Sequence, residues 1–233
     1  MTKNILKTAM VVAGVASLMT GCSNEQAEVS CFVQDSASWA TKYDALSESG
    51  TNAAGEACET GIPPAELVGV FKFANPADPS KAQLTLRPAG LASRGARDPG
   101  PSTNQTAIGD FAITPDEKSL CHADTFTEAT VDAAATPTAA HTTISYQFSN
   151  VRVYSAPSAP GTQITGELKY TRDGCTANYI FRGMWPAVGC DPEAPAGSAD
   201  NCGAGSFVNP DFAVTCEESV GFCVLSEAVP SLK

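Results

Sequence analysis

The chain has 233 residues and a formal charge of −11, because 25 Asp and Glu residues outnumber 14 Lys and Arg residues. Such an acidic surface repels phosphate backbones, so the composition excludes nucleic-acid binding as an expected function. Hydrophobic residues make up 43% of the chain, which supplies a folded core and argues against wholesale disorder. With 19 Gly and 16 Pro residues, the chain favours turns and irregular loops over long helices.

The amino terminus has the regions of an export signal. Lys3 and Lys7 are its only charged residues, and an uncharged, mostly apolar run follows over residues 8–19. A basic region followed by a short apolar region is typical of a signal peptide. The run is too short to cross a bilayer, which requires about 20 apolar residues. We therefore interpret residues 1–21 as a signal peptide.

The end of this run, Leu18-Met19-Thr20-Gly21-Cys22, resembles the lipobox of bacterial lipoproteins. The resemblance implies cleavage after Gly21 and a thioether-linked diacylglycerol on Cys22, with acyl chains such as palmitate. Met19 departs from the Leu that such sequences most often carry. Ser23, directly after the cysteine, is similar to the residue of lipoproteins sent to the outer membrane. Two or three acyl chains suffice for stable membrane residence, so the implied partner of Cys22 is a lipid bilayer.

The cysteine count supports this interpretation. The chain has nine cysteines, and setting Cys22 aside leaves an even number for an oxidising compartment. The alternative, an ordinary signal peptide with Cys22 in a disulfide, leaves one thiol unpaired. We expect disulfides, with the pairing left open, among Cys31, Cys58, Cys121, Cys175, Cys190, Cys202, Cys216 and Cys223.

The clearest structural signal is a hairpin over residues 162–184. Apolar residues alternate on both sides of Asp173-Gly174, and this dipeptide suits a two-residue turn with positive φ angles. Upstream, alternation through Ile144, Tyr146 and Phe148 slips by one residue before Val151, which predicts a β-bulge around residues 149–150. Further strand candidates cover residues 67–73, 82–86 and 108–113, and a strand through Trp39 and Tyr43.

These strands predict an all-β fold, an antiparallel β-sandwich or barrel with a disulfide-stapled, irregular C-terminal extension. We expect loops over residues 92–106 and 128–140. The predicted organisation is a signal peptide (1–21), a lipidated cysteine with a flexible tether (22–30), a β-domain (31–185) and a Cys-rich extension packed on that domain (186–233). Disulfides would replace the core that the extension lacks.

No catalytic, cofactor-binding or metal-binding motif stands out. The chain has two histidines, His122 and His141, and it lacks the G-x-S-x-G elbow that would nominate a serine nucleophile. Asp124 is the carboxylate nearest in sequence to His122. Cys216 and Cys223 are separated by six residues with no histidine nearby, which is a poor fit to a zinc site.

The leading hypothesis is therefore a non-enzymatic lipoprotein with a binding or structural role in the cell envelope, partnered by the bilayer and by an envelope protein or surface component. One alternative is a carrier of a small lipophilic ligand inside a β-barrel. That alternative resembles the lipocalins loosely, since Ala37 stands where their G-x-W motif has glycine. The other alternative is an exported hydrolase that uses two of the many carboxylates.

Overall fold

The computed structural model describes residues 30–49, 51, 55, 57–58 and 62–233. One large antiparallel sheet dominates this part of the chain, and a two-stranded sheet follows it. The strands are β1 (Ser36–Ser49), β2 (Ala65–Ala74), β3 (Ala82–Pro88), β4 (Ala107–Phe111), β5 (Leu120–Thr125), β6 (Ala129–Ala133), β7 (Thr142–Ala156), β8 (Ala159–Arg172), β9 (Cys175–Met184), β10 (Val214–Glu217) and β11 (Phe222–Leu225). A short helix, α1 (Ala89–Ala92), and 3₁₀ turns at Gly95–Arg97, Ser102–Gln105 and Ala199–Asn201 complete the described elements.

The large sheet curls into a nearly closed barrel. Its strand order is β4-β3-β2-β1-β9-β8-β7-β5, and β6 pairs with β7 beyond the end of β5. The two outer strands meet, because the amide of Ala112 donates to the carbonyl of His122 at 2.9 Å and Thr127 N donates to Ile108 O at 2.9 Å. Closure leaves few unpaired strand edges. Of the two predicted architectures, a sandwich and a barrel, the protein adopts the barrel.

Alternation along the strands fills the barrel interior. Most residues that point inward are apolar, and several aromatic rings meet among them, such as Phe148 and Phe181, whose ring centroids lie 5.3 Å apart. The largest fully buried interior side chains are Trp39, Leu84, Leu86, Leu91, Phe111, Tyr146, Phe148, Ile164, Leu168 and Phe181. Gly166 leaves room for this packing, since a Cβ there would lie 2.7 Å from the Phe181 ring. Side chains therefore occupy the interior.

The two ends of the barrel differ. At one end, which we call the Ser30 end, the described chain begins: Ser155 Oγ donates to Ser30 O at 3.4 Å, and the Cys31 amide donates to the carbonyl of Ile113 at 2.8 Å. The opposite end, which we call the α1 end, is covered by α1, whose Leu91 is fully buried in the barrel core.

The hairpin and the bulge that the sequence predicts are confirmed. Arg172 pairs with Cys175 across the turn, and Asp173 and Gly174 have φ angles of 51° and 90°. Positive φ at both residues matches the right-handed twist of the paired strands. In β7 the register shifts between Ser149 and Arg152. The strands predicted over residues 67–73, 82–86 and 108–113, and through Trp39, correspond to β2, β3, β4 and β1.

The predicted loop over residues 128–140 is wrong in its first part. β6 occupies Ala129–Ala133 there and pairs with Thr142–Tyr146 of β7. Its inward residues are Ala129, Val131 and Ala133, so small side chains weaken the alternating hydrophobic signal, and pairing with β7 decides the strand. β5 was also missing from the expected strands. The extension, expected to be irregular, contains the hairpin β10–β11.

The C-terminal extension covers the outside of the barrel. Its apolar residues pack against the outward-facing Ala40 of β1 and Met184 of β9. Gln163 of β8, fully buried, accepts a hydrogen bond from Ser231 N at 2.8 Å and donates one to Ser231 O at 3.1 Å. Lys42 and Glu217 form an ion pair at 3.6 Å. Within the described part of the chain, no helix has the length and apolar character that a membrane crossing requires.

Candidate functional site

The predicted lipidation site, Cys22, lies outside the described residues, as do the signal peptide and most of the predicted tether. The other eight cysteines lie within them, and they form four disulfides. The prediction of disulfides is thereby confirmed, and the pairing that the sequence left open is settled by the fold.

The disulfides fall into two classes. Two belong to the barrel and join distant parts of the chain: Cys31–Cys121 spans 90 residues and Cys58–Cys175 spans 117. Two lie inside the extension and close short loops: Cys190–Cys216 spans 26 residues and Cys202–Cys223 spans 21. Cys216 and Cys223 face each other across the β10–β11 hairpin but pair with different partners.

Three sulfurs of the extension lie close together. Those of Cys190, Cys202 and Cys223 are within 4.8 Å of one another, a spacing that thiolates could use to hold a metal ion. All three sulfurs belong to disulfides, and a disulfide sulfur lacks the thiolate charge that metal ligation by cysteine requires. The cluster is therefore two neighbouring disulfides that staple the extension.

The most unusual buried group is the carboxylate of Glu66, inside the barrel at the α1 end. Only 8% of the residue is exposed. Its Oε1 accepts hydrogen bonds from Tyr43 Oη and Tyr146 Oη, both at 2.7 Å, and its Oε2 accepts one from the Gly90 amide at 2.6 Å. Arg94 donates to the carbonyl of Gly90 at 2.6 Å, which holds α1 in place over the carboxylate.

Burial governs the protonation of this cluster. Desolvation raises the pKa of Glu66 above its ordinary value, although the hydrogen bonds from the two tyrosines and from Gly90 lower it in part. Burial and the nearby carboxylate raise the pKa of Tyr43 and Tyr146 well above the usual range. Tyr170, next to Tyr146, has a pKa raised to about 12, mainly by burial. Tyr43 and Tyr146 therefore stay protonated and donate hydrogen bonds to Glu66.

This arrangement fastens the end of the barrel. The three donors come from β1, β7 and α1, so the one carboxylate of β2 connects four elements. Sequence reasoning missed Glu66, although a usable signal was present. Glu66 stands two and four residues before Val68 and Val70, so alternation along β2 places all three on the inward face.

The two histidines lie on the surface and each contacts one aspartate. His122 Nε2 lies 2.9 Å from Asp116 Oδ2, and His141 Nε2 lies 2.6 Å from Asp132 Oδ1. The neighbour of His122 is thus Asp116 and not Asp124, which pairs with Arg152 at 2.7 Å. The hydrogen bond from His122 lowers the pKa of Asp116 to about 2.

A shallow cleft lies beside β6 on the barrel wall. Asp98, Asn104 and Thr143 line it together with Asp132. Its acids have structural contacts: Asp98 Oδ2 accepts a hydrogen bond from Asp132 N at 3.1 Å, which joins the loop after α1 to β6. Ser145 also lines the cleft, but among the described residues neither histidine hydrogen-bonds to it, since His122 contacts Asp116 and His141 contacts Asp132, whereas an activated serine needs such a base.

Comparison with known proteins identifies the family of the chain. A family model described as MlpA matches residues 37–186. A protein of Myxococcus xanthus named "Putative lipoprotein MlpA" is 50% identical over 239 residues, in an alignment that covers 100% of both proteins. The chain belongs to the MlpA family. The prediction of a bacterial lipoprotein is thereby confirmed. No solved structure matches the chain.

The residues that the MlpA family model matches coincide with the barrel. Residues 37–186 begin one residue after the start of β1 and end two residues after β9, so the family model covers the barrel. The extension lies beyond that range, and the alignment with the M. xanthus MlpA protein includes it. The division into a β-domain over 31–185 and an extension over 186–233 stays a prediction.

Proposed function

We propose that this MlpA-family protein is a non-enzymatic envelope lipoprotein, cleaved after Gly21 and acylated on Cys22. Its barrel is a rigid, acidic body that the lipid holds at the membrane, where it binds an envelope or surface component. The residue that follows the acylated cysteine, Ser23, directs the protein to the outer membrane. The name of the M. xanthus relative supports the lipoprotein assignment.

The observation that carries the proposal is the pairing of the other cysteines. All eight are joined to one another in four disulfides. Among the described residues, no cysteine is therefore left to pair with Cys22. Cys22 stands at the lipobox position, where acylation would remove the reactive thiol from an oxidising compartment.

The barrel interior supports a structural role over carriage of a lipophilic ligand. Ligand-carrying barrels enclose a cavity, whereas Trp39, Phe148 and Phe181 fill this interior at exposures of 2% or less. The buried carboxylate of Glu66 is engaged by three donors. A hydrolase would instead present its carboxylates to a substrate in an accessible site.

Mass analysis of the mature protein tests the proposal. The full chain is expressed in a bacterium that processes lipoproteins, and the intact product is weighed. We expect a chain that begins at Cys22 and carries two or three acyl groups, and Cys22→Ser should abolish both cleavage and acylation. A mature amino terminus at another residue, or an unmodified Cys22, would overturn the proposal.

The location and the role require separate measurements. Density-gradient separation of membranes should place the wild-type protein in the outer-membrane fraction, and Ser23→Asp should move it to the inner membrane. Cross-linking of the natively anchored protein in its own envelope should capture a specific partner. Turnover of an ester, peptide or glycoside substrate by the purified protein, abolished by one point mutation, would contradict the non-enzymatic role.

A further inference from the structure

Exposed apolar side chains gather at one end of the barrel. Among the described residues, six large hydrophobic side chains are exposed. Two of them, Leu46 and Ile108, lie nearer the α1 end. The other four lie at the Ser30 end: Phe32 (49% exposed), Phe73 (52%), Ile113 (42%) and Phe207 (91%).

Hydrogen bonds around Cys31 place three of these residues at the same end of the barrel. The Cys31 amide donates to Ile113 O, and the Cys31 carbonyl accepts a hydrogen bond from Lys72, the residue before Phe73. Phe32 follows Cys31 directly, and its own amide donates to Ser155 Oγ at 3.0 Å. Phe32 and Ile113 thus lie beside Cys31, whereas Phe73 lies on the outer face of β2 at the same end, stacked on Phe71 with ring centroids 6.4 Å apart.

Phe207 belongs to the same end through the extension. Two residues later, Asn209 Nδ2 donates to Ser158 O at 3.0 Å, in the turn between β7 and β8. Phe207 has a φ of 69°, a left-handed conformation that costs energy for a residue with a Cβ. The extension therefore holds an almost fully exposed aromatic ring on a strained backbone. Folding alone gives no reason for this, because the ring buries almost nothing.

The lysines are distributed in the same way. Six lysines follow Gly21 in the sequence, and four of them, Lys72, Lys81, Lys118 and Lys233, lie at the Ser30 end. Lys233 and Phe207 line the same cavity. Three of these lysines already contact the protein: Lys81 pairs with Asp78 and Asp110, whereas Lys72 and Lys233 donate to the carbonyls of Cys31 and Pro210. The apolar side chains, rather than the lysines, therefore carry the argument for a membrane-facing surface, because exposed aromatic and aliphatic side chains are typical of surfaces that meet lipid head groups.

The reach of the chain limits which end can face the membrane. Cys22 precedes Ser30 by eight residues, and eight residues span at most about 29 Å. β8 has 14 residues, which corresponds to about 46 Å along the strand. A lipid on Cys22 therefore keeps the Ser30 end near the bilayer, and the α1 end stays remote unless the barrel lies on its side.

We propose that the Ser30 end of the barrel docks on the bilayer surface, with Phe32, Phe73, Ile113 and Phe207 inserted among the head groups. The inference rests on the proposed acylation of Cys22. It adds that the domain has a fixed orientation on the membrane, with the α1 end directed away from it.

Fluorescence quenching tests this orientation. Acylated full-length protein carrying Phe207→Trp is reconstituted into phosphatidylcholine–phosphatidylglycerol vesicles that contain lipids brominated near the head group. We expect a blue shift and a loss of the added emission. The matched control, Leu46→Trp, is 62% exposed in the native residue and lies near the α1 end, and its emission should stay unshifted and unquenched. The unsubstituted protein gives the background from Trp39 and Trp185.

The outcomes separate the two proposals. Mass analysis of the same samples reports acylation, so an unacylated chain defeats the proposed function. Acylated, membrane-bound protein in which both tryptophans are equally unquenched overturns the docking alone. A blue shift without quenching that grows with protein density in the vesicles would mean that a second copy covers Phe207, which also overturns docking on lipid.

Hydrogen exchange on the unsubstituted acylated protein gives a second measurement of the orientation. Vesicles should slow exchange, relative to detergent micelles, in the 75–81 and 157–158 turns of the Ser30 end. Exchange in the 173–174 turn at the α1 end should not change. Equal protection of both ends would contradict a fixed orientation. Phe207→Ser should reduce the protection, and its fold can be checked by the exchange of the barrel strands in detergent.

Discussion

The barrel and the extension are stabilised by different means. The barrel has a continuous hydrophobic core, and its disulfides join residues 90 and 117 positions apart. The extension has two strands of four residues each and two disulfides that close short loops, and its apolar residues pack on the outer face of the barrel. Alternating strands can bury one face in a barrel, whereas a short segment rich in turns needs covalent closure and a surface to pack on.

Disulfide removal should give the largest difference between the two regions. Replacing Cys31 and Cys121 by Ser should lower the free energy of unfolding by about 4 to 5 kcal/mol, because the disulfide closes a long loop of the unfolded chain. The same change at Cys202 and Cys223 should cost about 3 kcal/mol. Urea unfolding measures both values. In hydrogen exchange, the second variant should open the extension alone, and a cooperative loss of the barrel strands would refute the distinction.

Within the barrel, the next largest effect on stability is expected from a change to the buried carboxylate of Glu66. In Glu66→Gln, one carboxylate oxygen is replaced by an NH₂ group. This group either faces the donating amide of Gly90 or takes the place of the oxygen that accepts from the two tyrosines. In both cases a buried hydrogen bond is lost, so the free energy of unfolding should fall by about 2 to 3 kcal/mol. Chemical unfolding is the measurement. Glu117→Gln, at an exposed site, is the matched control and should have no measurable effect. Equal stability of both variants would show that the cluster does not fasten the α1 end.

The raised pKa of Glu66 predicts that the stability of the protein depends on pH. The pKa of Glu66 is raised in the folded protein above its ordinary 4.5, so between those values the folded chain holds a proton that the unfolded chain has lost. Its contribution to stability is fully present below 4.5 and is lost as pH rises through the folded pKa. Wild type should therefore lose stability relative to Glu66→Gln as pH rises from 4.5 through the folded pKa of Glu66. A constant difference across that range would contradict the raised pKa.

Attachment of the extension can be weakened by one substitution. Gln163→Ala leaves the buried Ser231 amide without its acceptor and should cost about 2 kcal/mol. Hydrogen exchange should show the loss around residues 226–232 before it appears in the barrel strands. Gln147→Ala, on an exposed position of β7, should leave both regions unchanged. If Gln163→Ala lowers the protection of all strands together, the two regions unfold as one unit.

The smallest effects are expected at two glycines with left-handed backbone conformations, one in the barrel and one in the extension. Gly174 and Gly197 have φ angles of 90° and 78°, and a Cβ at either position meets no crowding. Alanine at each should cost about 1 kcal/mol through the left-handed backbone alone. Gly174→Ala should lower the thermal midpoint of the barrel, whereas Gly197→Ala should raise exchange only in the extension. Identical shifts of the thermal midpoint would remove the contrast.

Local patterns predicted the central strands well. The Asp173-Gly174 turn and the slip of alternation at residue 149 are both set by neighbouring residues, so the hairpin and the bulge could be located in the sequence. β6 could not be located, because its pairing with β7 outweighs the weak hydrophobicity of Ala129 and Ala133. The cluster around Glu66 needs donors from β1, β7 and α1, which are far apart in the chain and meet only through barrel closure.

The sequence by itself determined the features that depend on short segments: the lipoprotein-type amino terminus, the even set of eight cysteines for disulfides, and an all-β fold with alternating faces. Only the tertiary structure decided between sandwich and barrel, joined each cysteine to its partner, buried Glu66, and placed Phe207 at the same end as Ser30. The physical reason is that these features are contacts between residues distant in the chain. Their free energy depends on the whole arrangement of strands, which no single segment encodes.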